Sequence, residues 1–362
     1  MGGGKKFDCR TAAVANDALG KNIEMRRLAI ILAAVLASLS PCAAEKKLRF
    51  GVTIPERTST VREAMAPWAR DLSASSRGAL SIEMHTGGSL GRNGKLQYWL
   101  VQQGVLDIAW ILPSDTPGLF PATDFFEIPL KTDDPLLMSL AFWRLYERGH
   151  LKGFEDVKPL ALYVSPPYRL HLRFPYDGPE SLRGRKIRAV TALQSRLLDD
   201  AGATPIGGIT TTQVAESLSR DLIDGALFSW HGVKSVGVMR STSVHVDQPV
   251  SLAPAMIVMN RKVYDELSPE SRAILDAKSG EPLIRMLVQS MNKAAAAAVE
   301  EAALDPARDF IERRPEDEAV WRERFEQAAR DWRVKRAENE QLAVAFDAIL
   351  EDLLQNGPEL PE

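Results

Sequence analysis

The sequence predicts an α/β protein, on three observations. Strand-like segments of alternating apolar residues recur between segments with helical apolar spacing, and Gly- or Pro-containing turns separate them. At roughly 100–200 residues per domain, a chain of 362 residues corresponds to two domains or one large α/β unit. Apolar residues at 45% and charged residues at 26% are ordinary globular usage, so the bulk of the chain is neither disordered nor fibrous.

The first strand runs from Lys47 to Ile54 and stops at Pro55. A helix pattern over Val61 to Ser73 follows, then a turn at Gly78 and a second strand, Leu80 to His85. The third unit is a helix from Gly94 to Gln103, with Gly104 as its stop, and a buried-type strand from Val105 to Ile111. Helices alternating with strands at this spacing predict right-handed βαβ units and a mostly parallel sheet. A second set starts near Pro167, with strands at Arg169 to Phe174 and Lys186 to Val190, and helices at Leu193 to Ala201 and Thr211 to Ser219. Strands at Asp224 to Phe228 and Leu252 to Met259 complete it. From Leu283 the chain reads as helix to Ala303 and again from Glu318 to Leu354. No internal repeat of fixed period is present.

Met25-Arg26-Arg27, the apolar run Leu28 to Leu39, and small residues up to Ala43-Ala44 form the pattern of a secretory signal peptide. Cleavage is expected after Ala44, with residues 1–24 an upstream extension and 25–44 the leader. A lipid on Cys42 is disfavoured because Pro41 stands where a lipid-attachment motif wants a small residue. Residues 1–44 hold six basic and three acidic side chains, so the remainder carries 39 basic against 45 acidic residues, a net charge of −6. Such a balance gives no electrostatic reason to seek nucleic acid. Cys9 and Cys42 both lie in the leader region, which excludes thiol catalysis and Cys-ligated metal from the mature chain. No later apolar run reaches the ~18 residues of a spanning helix. A periplasmic product is expected.

Motifs of catalysis are missing: no H-E-x-x-H, G-x-S-x-G, phosphate loop or G-x-G-x-x-G after a strand occurs. His85, His150, His171, His231 and His245 show no paired ligand spacing, and the loop Gly87-Gly88-Ser89-Leu90-Gly91 lacks the Lys-Ser/Thr of a phosphate cradle. That loop reads as a turn before a helix. No catalytic residue, metal or cofactor is expected.

Four ordered segments carry more information. They are Gly87 to Gly91 followed by Gln103 to Ala109; Pro117 to Pro121 running to Phe126-Glu127-Ile128-Pro129-Leu130; Ser181-Leu182-Arg183-Gly184-Arg185-Lys186-Ile187-Arg188; and Leu218 to Gly225. With Val258-Met259-Asn260, this set resembles the solute-binding proteins of TRAP transporters, the tripartite ATP-independent periplasmic uptake systems. The third segment is similar to the family's D-L-x-G-x-K-I-R, with Ser181 in place of the acid. The fourth is similar to L-x-x-G-x-x-D-G, with Asp221 where Gly is usual.

The resemblance implies a two-lobed periplasmic-binding-protein fold with hinge crossings and a long helix bridging the lobes. Lobe I is expected at 45–166 plus 254–282, and lobe II at 167–253 plus 283–362. It implies a salt bridge from Arg188 to a ligand carboxylate, a contact that suits the planar fork of donors on a guanidinium. A second arginine is implied on the preceding strand. Arg169 and Arg173 both qualify, and Arg169 is preferred. Phe228 occupies the position where sialic-acid-type members carry Asn, so a sugar acid is disfavoured, and Trp230 and Trp110 are further candidates for an aromatic wall. The implied partners are a small organic acid and the TRAP membrane permease subunits, the receptor itself being a monomer or dimer. An exported enzyme with a similar cleft, or a receptor docking on a signalling protein, are the other functional classes compatible with such a fold.

Overall fold

The computed structural model describes Met1, residues 45–129 and residues 131–357. The leader and the extension before it lie outside the described residues. Strands β1 (Lys46–Gly51), β2 (Leu80–His85), β3 (Ile108–Ile111) and β4 (Val157–Val164) come first. They are followed by β5 (Tyr168–Leu172), β6 (Lys186–Arg188), β7 (Thr204–Ile206), β8 (Gly225–Ser229) and β9 (Val244–Ser251). The last two are β10 (Pro254–Asn260) and β11 (Asp309–Ile311). They form two sheets, ordered β2-β1-β3-β10-β4 and β11-β9-β5-β8-β6-β7.

Both sheets are mostly parallel, as expected, with one reversed strand in each, β10 in the first and β5 in the second. β1 runs parallel to β2 and β3, and β6 parallel to β7 and β8, as βαβ units require. In contrast, β10 is antiparallel to β3 and β4, and β5 antiparallel to β8 and β9. The reason is the path between sheets. The chain leaves the first sheet through β4 and enters the second through β5, then returns from β9 into β10. Out-going and returning strands lie side by side, and at the crossing Ser165 N–H donates to Ala253 C=O at 2.9 Å. Leu252 N–H donates to Glu127 C=O beside it, at 2.8 Å.

The first sheet is packed by helices α1 (Ala66–Ser75), α2 (Gly94–Gln102) and α3 (Pro135–Glu147). Trp68 on α1 meets Phe50 of β1 edge-on at 6.1 Å, and its indole N–H donates to Lys278 C=O. The tempting glycine loop is a turn: Gly87 and Gly88 have positive φ, and Asn93 then caps α2 by accepting from Leu96 N–H. On the second sheet, α4 (Ala192–Asp200) starts at Thr191, whose hydroxyl accepts from Gln194 N–H.

Three C-terminal helices tie the sheets together. In α5 (Glu281–Leu304), Leu283, Ile284, Leu287, Val288 and Met291 enter the first sheet's core, whereas Ala298 and Ala302 enter the second's. This is the bridging helix. Gly280 precedes it at φ +63°, and a Cβ there would come within 2.7 Å of the Trp143 ring, so only glycine lets the helix start lie against α3.

In α6 (Pro315–Lys335), Trp321, Phe325, Ala328 and Ala329 pack on the second sheet. Helix α7 (Ala337–Asn356) packs on the other sheet: Leu342, Ala343, Phe346, Ile349, Leu350 and Leu353 belong to the first sheet's core. The extended Arg336 breaks the helical run and redirects it, and the apolar stripe of α7 then finds Phe125, Phe126 and α3. Among the described residues no helix is long and apolar enough to cross a membrane.

Candidate ligand-binding site

The site is built where three strands of the second sheet share an edge. Parallel pairing of β6 with β8 sets Arg188 opposite Ala226 and brings the carboxyl ends of both strands to one edge. Antiparallel β5 brings its start to the same edge, with Tyr168 opposite Ser229 and Arg169 opposite Phe228. Ligands of open α/β sheets bind beyond the carboxyl ends of strands, so this edge, beside the interlobe crossings, is the candidate cleft. Arg173 lies beyond the other end of β5, where its N–H donates to Asp224 C=O, and its guanidinium pairs with Asp221. Topology therefore separates the two arginines that sequence spacing left equivalent.

Arg188 is 2% exposed. Its Nε donates to Ile209 C=O and its Nη1 to Leu227 C=O, each at 3.2 Å, and its guanidinium carbon lies 5.4 Å from the Phe228 ring centre. Among the described residues no carboxylate pairs with it, although burial pulls its pKa below the usual guanidinium range. Two carbonyls and a ring face hold the cation in place without neutralising it. An anion at the remaining N–H edge would complete its coordination.

Arg169 is differently committed. Its Nε lies 2.6 Å from Asp247 Oδ1 and 3.1 Å from Asp247 C=O, and Nη1 donates to Pro167 C=O. The two arginines implied as a pair are thus one with an internal counter-ion and one without. Asp221, the residue standing where the family has Gly, takes the left-handed conformation at φ +57°, which Asp tolerates better than most side chains, and pairs with Arg173.

Of the aromatic candidates, Phe228 lies beside Arg188, with the Tyr168 ring at 6.2 Å. Trp230 is 1% exposed and turns into the lobe's core. Its ring neighbours are His171 at 4.7 Å, His245 at 5.3 Å and Phe310 at 6.1 Å. Trp110 comes from the other sheet, half-buried on β3, and its indole N–H donates to Tyr163 Oη at 2.6 Å.

The lone histidines 171 and 245 prove to be a pair. Phe228 C=O can only accept, so His171 Nε2, at 3.2 Å, carries a proton and Nδ1 is bare. His245 Nδ1–H then donates across 2.8 Å, which fixes both tautomers. Burial holds both rings neutral, His245 pushed down to about 4.

Sequence reading assigned no role to Tyr168, Glu127 or Asp115. Asp115 accepts from Gly94 N–H at the start of α2, and burial raises its pKa. Glu127 is buried beside the crossing with Thr191 as hydrogen-bonding neighbour, and burial pushes its carboxyl up to about 8. An acid in the apolar run Phe125 to Pro129 was the available signal.

A carboxyl whose folded pKa exceeds its ordinary 4.5 contributes stability at low pH that is lost as pH rises toward about 8. Glu127→Gln should therefore flatten the fall in melting temperature across that window. Parallel profiles for the two proteins would show that Glu127 is already ionised.

The family model of the bacterial extracellular solute-binding proteins, family 7 (DctP), matches residues 50–335. The chain belongs to this family. By that membership it is an extracellular solute-binding protein, a class that binds rather than transforms its ligand. The receptor is 24% identical over 276 residues to the outer membrane transporter protein TsaT of Comamonas testosteroni, covering 74% of this chain and 80% of that one.

Its fold matches a marine-metagenome TRAP solute-binding protein specific for aromatic acid ligands, solved with metahydroxyphenylacetate. The TM-score is 0.78 at 24% identity, over 85% of this chain and 99% of that chain. A TRAP solute-binding protein of Rhodoferax ferrireducens with copurified benzoate gives a TM-score of 0.78 at 24% identity, over 86% and 100%. These structural likenesses establish the two-lobed fold.

Proposed function

We propose that this receptor works in the periplasm, binding an organic monocarboxylate with an apolar or aromatic body and delivering it to the membrane permease subunits of a TRAP system. The observation that carries the reading is Arg188, a buried guanidinium with no carboxylate partner among the described residues. Phe228 beside it offers a ring face to the ligand body, whereas hydroxyls of a sugar acid would lose water there without partners. The aromatic acids bound by the two similar structures support the same ligand class.

In this reading Trp110 faces the ligand from the first sheet, Trp230 supports Phe228 from behind, and Arg169 holds the strand start through Asp247. The lobes are 45–166 with 254–282 and α7, and 167–253 with α6, with α5 shared. Closure about the paired crossings at 165–167 and 252–253 is the expected motion.

A thermal-shift and calorimetry screen with benzoate, mandelate, 3-hydroxyphenylacetate and glucuronate tests this. At about 100 times its dissociation constant an aromatic acid should add ~2.7 kcal/mol of stability. Selective binding of glucuronate would overturn the ligand class.

A further inference from the structure

We infer that the Tyr168 hydroxyl is the second donor to the ligand carboxylate, a role for which the family resemblance made Arg169 the preferred candidate. The inference rests on the reading of Arg188 as the carboxylate anchor. Tyr168 opens β5 immediately after the crossing, and its backbone is opposite both Ser229 and Ser251. It therefore stands at the sheet edge that carries Arg188 and at the hinge between lobes. Its ring and the Arg188 guanidinium share one neighbour, Phe228, at 6.2 and 5.4 Å.

The side chain is only partly buried, and its hydroxyl makes no hydrogen bond among the described residues. Tyr163 accepts from Trp110 and Tyr264 donates to Asp276, whereas the Tyr176 hydroxyl is buried without a partner among the described residues. Arg188, Glu127 and Asp115 are the titratable groups nearest Tyr168, and burial keeps the phenol protonated and able to donate.

The chemistry is complementary. A carboxylate offers about four acceptor positions, and a guanidinium fork fills two of them. A phenol O–H approaching from the adjacent strand fills a third. Arg169 already has a counter-ion in Asp247, and its Nη1 is held by Pro167 C=O, so its charge is less available to a ligand than that of Arg188. Because Tyr168 sits on the crossing, its bond to the ligand would also join ligand occupancy to the hinge.

Calorimetry at pH 7 with benzoate, mandelate and 3-hydroxyphenylacetate compares wild type, Tyr168→Phe and Arg188→Ala. Tyr168→Phe keeps the ring on Phe228, so its ligand-free melting temperature should stay that of wild type. Its affinity for the best of the three acids should fall about 10- to 100-fold, the range for one hydrogen bond to a charged group. Unchanged affinity in Tyr168→Phe together with lost binding in Arg188→Ala overturns the role of Tyr168 and leaves the anchor standing. Unchanged affinity in Arg188→Ala, or no binding of any of the three by wild type, overturns the anchor and this inference with it. Should Tyr168→Phe melt lower than wild type, Tyr168→Met, which keeps apolar bulk without a donor, must show the same loss of affinity; normal affinity there also overturns the role.

Discussion

Arg188→Ala should bind an aromatic monocarboxylate more weakly by roughly 2–5 kcal/mol, the range for removing one partner of a desolvated charge pair. The size follows from where Arg188 sits. At 2% exposure the guanidinium has already left water, so a ligand carboxylate meets a cation whose desolvation was completed on folding. The Nε and Nη1 bonds to Ile209 and Leu227 fix its orientation, which removes side-chain entropy from the binding step. Arg188→Lys should recover only part of the loss, because an ammonium cannot bond two carbonyls and present a planar edge to a carboxylate. The ligand-free variant should fold normally, since truncation deletes a buried cation that has no internal counter-ion among the described residues. Calorimetry that finds near-normal affinity in Arg188→Ala would remove the site from this edge.

The second large effect concerns folding. Phe346→Ala in α7 should destabilise the protein by about 3–5 kcal/mol, the usual cost of deleting a buried phenylalanine ring. Phe346 is 2% exposed, with ring contacts to Phe125 at 4.9 Å and Phe126 at 5.8 Å, and Phe126 in turn stacks on Phe142 of α3 at 4.1 Å. The cavity would open in the first sheet's core, and a melting-temperature fall on the order of 10 °C is expected. Val344→Ala on the same helix is the control, because that side chain is exposed. A loss below about 1 kcal/mol in Phe346→Ala would mean that α7 does not hold to the first sheet.

Particular residues show how much could be read without coordinates. Leu80 to His85 and Gly94 to Gln103 were legible because an alternating strand and a helix bounded by Asn93 and Gly104 declare themselves over a few residues. β4 was not, since Val157 to Val164 is a nearly unbroken apolar run whose periodicity is silent about its conformation. β9 was hidden for the opposite reason: Asp247, Gln248 and Pro249 interrupt its pattern, and pairing with β5 sustains the strand regardless. The three-residue β11 has too short a signal and exists because β9 offers it an edge.

The site divides in the same way. Arg188 was legible because Ser181 to Arg188 is a contiguous segment whose order survives in the sequence. Arg169 and Arg173 were indistinguishable, because an i, i+4 pair on a strand shares a face, and only pairing decides which end lies at the cleft. Trp230 was considered for the ligand wall, yet the ring packs on two histidines 74 residues apart that no local pattern connects.

By itself, then, the sequence determined the α/β class and the family and singled out Arg188 as the proposed anchor, all carried by contiguous segments with their own local periodicity or motif. Tertiary structure alone decided that each sheet carries one reversed strand, that α7 returns to the first sheet, that Asp247 occupies Arg169, and that Tyr168 and Glu127 stand at the crossing. Each of these depends on contacts between residues far apart in the chain, whose partners are set by the packing of whole elements and leave no spacing to read.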